Sequence, residues 1–149
     1  MNFILAISED KVPSTKEPDP YMHLFLDAGA GNILAFFELP NSPEMGRDEN
    51  TPDWVQHIAF ELESVEELMA AKESLEASEI EVVGPTDHSI IKSIYFFDPN
   101  GHRLELTVRT ASKDMMDELD AIKWKMLDEW SENKKVVTQA AWLHRDEFS

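Results

Sequence analysis

Apolar and polar positions set out seven strand-like runs and two stretches of helical spacing. Residues 3–8 form a continuous apolar run fit for a buried or edge strand. Residues 11–20 carry Pro13, Pro18 and Pro20 and are expected to form a loop. Runs at 21–27 and 33–39 flank Ala28-Gly29-Ala30-Gly31-Asn32, which supplies the positive-φ residues of a hairpin. Residues 40–52, rich in Pro, Asn, Ser and acids, are expected to connect two halves.

The second half begins with an alternating strand at 55–62, with His57, Ala59 and Glu61 on one face and Ile58, Phe60 and Leu62 on the other. Ser64 and Glu67 make a capping box. The helix it opens carries a stripe of Val65, Leu68, Met69, Ala71, Lys72 and Leu75, expected to pack on the Ile58 face. A short strand at 80–83 should stop at Gly84-Pro85. Strands at 93–97 and 103–109 then flank the turn Asp98-Pro99-Asn100-Gly101. Over 111–135, Met115, Leu119, Ile122, Met126 and Trp130 recur at helical spacing, predicting an amphipathic helix that packs on the domain or on a partner chain. Residues 136–149 are weakly specified. Gly31-Asn32-Ile33-Leu34-Ala35-Phe36 echoes Gly101-His102-Arg103-Leu104-Glu105-Leu106, as if two related strand hairpins were present.

Charge and composition narrow the function. With 30 acidic and 13 basic residues in 149, the net charge is −17. Such a chain repels phosphate backbones and anionic lipid, so neither nucleic acid nor a membrane surface is expected as partner. The chain contains no cysteine, which excludes disulfides, thiolate nucleophiles and Cys-ligated zinc. No apolar run reaches the roughly 20 residues of a membrane span, and a soluble cytoplasmic domain is expected.

His57 and Glu105 break the apolar pattern of their strands, each lying opposite a helix-covering face. On solvated strands they carry no meaning. On a sheet curled around a cavity, they form a nitrogen-plus-oxygen metal pair.

The wording His57-Ile58-Ala59-Phe60-Glu61-Leu62, the capped helix, Gly84-Pro85, and Ser93-Ile94-Tyr95-Phe96-Phe97-Asp98-Pro99-Asn100-Gly101-His102-Arg103-Leu104-Glu105-Leu106 resembles the vicinal oxygen chelate superfamily. That group includes glyoxalase I, extradiol dioxygenases, fosfomycin-resistance enzymes and bleomycin-binding proteins. The resemblance spans residues 54–109 and extends to 3–40. It implies an α+β fold of paired βαβββ modules with curved mixed sheets and a C-terminal helix. Residues 1–110 would form the domain, with 1–40 as a partial first module, 54–110 as the second, and 111–149 as a helical extension. The first module lacks its opening strand and helix, so its metal ligand is expected either ahead of Met1 or lost.

The resemblance implies that His57 and Glu105 ligate a divalent metal, Fe(II) in a dioxygenase, with Mn, Zn or Ni as alternatives. Tyr95 would face the substrate and donate a hydrogen bond to a developing oxyanion. His88, on the loop after Gly84-Pro85, would be a second catalytic group. His23 and Phe37, on first-module strands, would line the substrate cavity with Tyr95. Ala35 stands where a glyoxalase I-like fourth ligand would be, which favours a three-ligand, extradiol-dioxygenase-like site. His144 could supply a missing ligand only by folding back. Three readings stay open: a dioxygenase, a glyoxalase-like lyase or isomerase, and a non-catalytic binding protein of the bleomycin-resistance type. A small-molecule ligand and a homodimer are expected under each.

Overall fold

The structure is a computed structural model, and it describes residues 2–13, 15–43, 46, 48, 50–51 and 54–133. Expectations for 136–149, including His144, lie outside the described residues. The chain divides into two units, Met1–Asp48 and Glu49–Ser149.

The first unit holds a sheet of three antiparallel strands in the order β1-β2-β3: β1 Asn2–Lys11, β2 Pro18–Gly29 and β3 Asn32–Glu38. The expected loop at 11–20 is much shorter than its prolines suggested. It is a turn closed by hydrogen bonds from the Val12 amide to the Glu17 carbonyl and from the Lys16 amide to the Val12 carbonyl. Pro18 and Pro20 are accommodated because β2 meets β3 only from Met22 onward, so neither proline withholds a donor from a central ladder. The β2–β3 turn follows the glycine pattern: Gly29 pairs with Asn32, and Ala30 and Gly31 both have positive φ, at 50° and 79°. That is the geometry of a type I′ hairpin, whose twist suits the flanking strands. No helix lies among the described residues of this unit, and Phe3, Ile33 and Phe37 stay 62%, 60% and 55% exposed.

The second unit runs β4 His57–Glu61, α1 Val65–Ala77, β5 Val83–Asp87, β6 Ile91–Phe97, β7 Arg103–Arg109 and α2 Lys113–Asn133. Its sheet order is β4-β7-β6-β5, with β4 parallel to β7 and the other pairs antiparallel. Ser64 caps α1 by accepting a hydrogen bond from the Glu67 amide, and the Glu67 carboxylate accepts one from the Glu63 amide. The helix ends where Glu79 takes a left-handed φ of 61° and the Ile80 amide bonds back to the Leu75 carbonyl. Its apolar stripe packs on β6 and β7. Leu68, Ile94 and Val108 form the buried centre, flanked by Leu62, Ala71, Leu75, Val82 and Leu106. The expected cover for the Ile58 face is only partial. Ile58 is 47% exposed, whereas Leu62, one residue beyond β4, joins the core.

A second difference concerns β5. The strand does not stop at Gly84-Pro85 but begins at Val83 and runs through both. As an edge strand it loses no central ladder bond to proline. Gly84, at φ 111°, brings the backbone so close to β6 that a Cβ there would meet the Ser93 carbonyl oxygen at 2.7 Å. The expected terminal helix is present as α2, with Met115, Leu119, Ile122 and Met126 half-buried along one stripe and Trp130 47% exposed.

The two units share a hairpin. Phe25 opposes Ala35 in the first as Tyr95 opposes Glu105 in the second, and His23 opposes Phe37 as Ser93 opposes Thr107. Thus β1-β2-β3 repeats the β5-β6-β7 half of the second unit. A counterpart of β4 is not among the described residues of the first.

Candidate functional site

Cross-strand register builds the site in the second unit. On β7, Arg103, Glu105 and Thr107 face away from the core side chains Leu106 and Val108. On β6, Ser93 opposes Thr107 and Tyr95 opposes Glu105, so these share that face. On β4, His57 is in register with Arg103 and Ala59 with Glu105. One sheet face therefore carries His57, Arg103, Glu105 and Tyr95 together, opposite the face that α1 covers.

Glu105 is only 4% exposed, although it is a carboxylate on the face away from the helix. Its Oε2 lies 2.8 Å from His57 Nε2, and the His57 side chain is 27% exposed. The His57 ring meets the Tyr95 ring edge-on at 5.9 Å between centroids. Tyr95 in turn places its hydroxyl 2.8 Å from His88 Nε2, and His88 itself is solvent-exposed. The Arg103 guanidinium carbon sits 4.3 Å from the centre of the Tyr95 ring. Further along the same face, the buried Ser93 hydroxyl donates to Thr107 Oγ1 at 2.9 Å. Burial raises the Tyr95 phenol above its ordinary value, and the neighbouring Glu105 carboxylate raises it further. The Ser93 hydroxyl and the Arg103 guanidinium offset part of that rise. At neutral pH the phenol keeps its proton and remains a donor.

A small pocket of about 280 Å³ opens beside this cluster, lined by Gln56, His57, Ile58, His102 and Arg103. A larger hollow of about 780 Å³ in the first unit, at the turn between Ser8 and Pro20, holds none of the candidate residues.

Four of the residues singled out in the sequence, His57, Glu105, Tyr95 and His88, thus gather in the second unit. The other two gather in the first. His23 and Phe37 are cross-strand partners on β2 and β3, stacked at 3.7 Å and 20°. The Phe25 ring lies 4.0 Å from that of His23, and Tyr21 meets Phe37 edge-on at 5.5 Å. The His23 Nε2 atom is buried with no hydrogen-bond partner among the described residues. Arg103 is the residue that sequence reasoning undervalued. Its place on the Glu105 face was readable from alternation, but its stacking on Tyr95 depends on the β6–β7 register.

His57 and Glu105 suit a divalent ion. Two donor atoms held at right angles on one ion, each at about 2.0–2.2 Å, lie roughly 3 Å apart. The Nε2–Oε2 separation of 2.8 Å is close to that. An imidazole and a carboxylate are also the donor types such ions take at mixed nitrogen–oxygen sites. Among the described residues no third His, Cys, Asp or Glu joins them in one cluster.

Comparison with known proteins gives the family. The model of the Glyoxalase/Bleomycin resistance protein/Dioxygenase superfamily matches residues 4–106. The chain belongs to that superfamily. Among solved structures, a glyoxylase/bleomycin resistance protein/dioxygenase domain from Frankia sp. EAN1pec shares the fold. It is 16% identical, with 72% of this chain and 76% of that chain covered, at a TM-score of 0.52. Weaker likenesses include the trypanothione-dependent glyoxalase I of Leishmania major, at 22% identity, 83% and 78% coverage and a TM-score of 0.49. The fosfomycin resistance protein FosX of Listeria monocytogenes, complexed with Mn(II) and sulfate, is another, at 20% identity, 75% and 73% coverage and a TM-score of 0.45. No described helix is long and apolar enough to cross a membrane.

Proposed function

We propose that this chain is a divalent-metal enzyme of the vicinal oxygen chelate type, acting on a small substrate that chelates the ion through two adjacent oxygens. The observation that carries this reading is the His57–Glu105 pair, a buried carboxylate 2.8 Å from an imidazole nitrogen on a neighbouring strand. Family membership supports it. Ala35, which cannot ligate, occupies the hairpin position equivalent to Glu105, and this favours an extradiol-dioxygenase-like site over a glyoxalase-like one.

When bound, the ion would supply Lewis acidity to the two chelating oxygens and, as Fe(II), redox capacity toward O₂; Zn, which has no redox chemistry, would supply the first alone. The residues supply the rest. His57 Nε2–H donates to the Glu105 carboxylate, and ligation through Nε2 would take the tautomer that carries the proton on Nδ1. Tyr95, kept protonated by burial and by Glu105, donates its phenolic hydrogen either to a substrate oxygen or to His88. His88 reaches solvent, so a proton can pass from the Tyr95 hydroxyl through its imidazole to water. His23 and Phe37, stacked on each other in the first unit, stay substrate-contact candidates through the resemblance alone.

A second reading, small-molecule binding without catalysis, is favoured by the two-residue donor set. The two are separated by incubating Fe(II)-loaded protein with catechol in air, and Mn-, Zn- or Ni-loaded protein with a hemithioacetal. Oxygen uptake with ring-cleaved product supports the dioxygenase, and thioester formation the lyase. Stoichiometric binding without product under every condition would overturn the enzymatic reading. A homodimer and a cytoplasmic location remain part of the proposal, the first checked by sedimentation equilibrium.

A further inference from the structure

Three basic side chains are half-buried among the described residues: Lys72, Lys92 and Arg103. Lys72 pairs with Glu76 and Lys92 with Asp87. Arg103 makes neither an ion pair nor a hydrogen bond within the described residues, in a chain that carries 30 carboxylate side chains. Its nearest acidic neighbour on the same strand face, Glu105, directs Oε2 to His57. The guanidinium instead lies over the Tyr95 ring at 4.3 Å. Stacking uses the face of the guanidinium and leaves the N–H groups at its edge free to bond in plane. Arg103 also lines the small pocket beside the cluster, together with His57, Gln56, Ile58 and His102.

We propose that Arg103 is a specificity-determining residue that binds a carboxylate carried by the substrate beside its two chelating oxygens. This rests on the site reading given above and names its substrate class. The geometry supports it in three ways. Arg103 and His57 are register partners on neighbouring strands, whose backbones run about 4.8 Å apart, so a group held by one lies within a small molecule's reach of the other. A planar guanidinium matches a planar carboxylate in a two-point bond. A single unpaired base balances a single negative charge, which favours a carboxylate over a doubly charged phosphoryl group. The overall charge of −17 repels any anion, so a local cation is what would let an anionic substrate dock.

The test compares binding of catechol, 2,3-dihydroxybenzoate and 3,4-dihydroxybenzoate to Mn(II)-loaded full-length protein by calorimetry. The wild type, Arg103→Gln and Arg103→Lys are each examined, with Mn(II) affinity measured separately by electron paramagnetic resonance. The wild type should bind one of the two benzoates more tightly than catechol by about tenfold to a hundredfold, the size of a charge-assisted hydrogen bond. Arg103→Gln should erase that ratio while Mn(II) affinity is retained, and Arg103→Lys should keep part of it. Binding of all three diols without preference, or a preference that survives in Arg103→Gln, overturns the inference and leaves the metal site standing. Failure of the wild type to bind Mn(II), or to bind any of the diols, overturns the site reading together with the inference.

Discussion

Glu105, in the middle of β7, holds its carboxylate 2.8 Å from the Nε2 of His57 at the start of β4, two strands that run parallel side by side. The residues lie far apart in sequence and meet because the connection through α1, β5 and β6 brings β7 back beside the edge strand β4. A carboxylate 4% exposed costs stability unless it is bonded, and His57 is the group that bonds it. Replacing His57 with Ala should therefore destabilise the protein, whereas the double variant His57→Ala/Glu105→Gln should recover part of the loss. Urea denaturation followed by tryptophan fluorescence measures both.

The sequence contains two tyrosines, Tyr21 and Tyr95, and both phenols are raised above their ordinary value. Burial leads in each case, joined by Glu9 at Tyr21 and by Glu105 at Tyr95. Absorbance at tyrosinate wavelengths should show less than half ionisation at about pH 10, the free-residue value. Glu105→Gln should shift the Tyr95 step downward. The sign for stability follows. The unfolded phenol ionises first, so this contribution is complete below about pH 10 and is lost as pH rises through the folded value. Tyr95→Phe should flatten that alkaline decline. Half ionisation below pH 10 in the wild type would contradict the assignment.

Ile94 is fully buried between α1 and β7 in the second unit, whereas Ile33 in the first is 60% exposed. Ile94→Ala should cost about 2–5 kcal/mol. Ile33→Ala should change stability by no more than about 0.5 kcal/mol, as ordinary surface substitutions do. Equal losses would mean that a further layer buries the first sheet.

At Gly84, φ is 111° and a Cβ would meet the Ser93 backbone oxygen at 2.7 Å. Gly84→Ala should cost about 1–3 kcal/mol. Differential scanning calorimetry should register this as a fall of several degrees in Tm. An unchanged Tm would show that β5 can move away from β6 at little cost.

Legibility in the sequence followed the strength of local signals. The Asp98–Gly101 turn, with Asp98 accepting from the Asn100 and His102 amides, left little freedom in the ends of β6 and β7. The capping box likewise set the start of α1. Prolines misled twice, at Pro18 and at Pro85, because a proline's cost depends on whether its strand is an edge there, a property of sheet order rather than of sequence. The alternation of β4 and β7 put His57 and Glu105 on defined faces, but only the β4–β7 pairing brings them to 2.8 Å. Arg103 over Tyr95 depends on the same long-range register.

The proposed role of His57 and Glu105 as holders of a divalent ion can be read from elemental analysis of untagged protein. The wild type, after reconstitution with Fe(II), Mn(II), Zn(II) or Ni(II), should retain about one ion per chain of at least one of these metals. His57→Ala and Glu105→Gln should each retain at most about a tenth as much, consistent with loss of a ligand from so small a donor set. Equal retention by wild type and variants, or no retention by the wild type with any of the four ions, would contradict the claim.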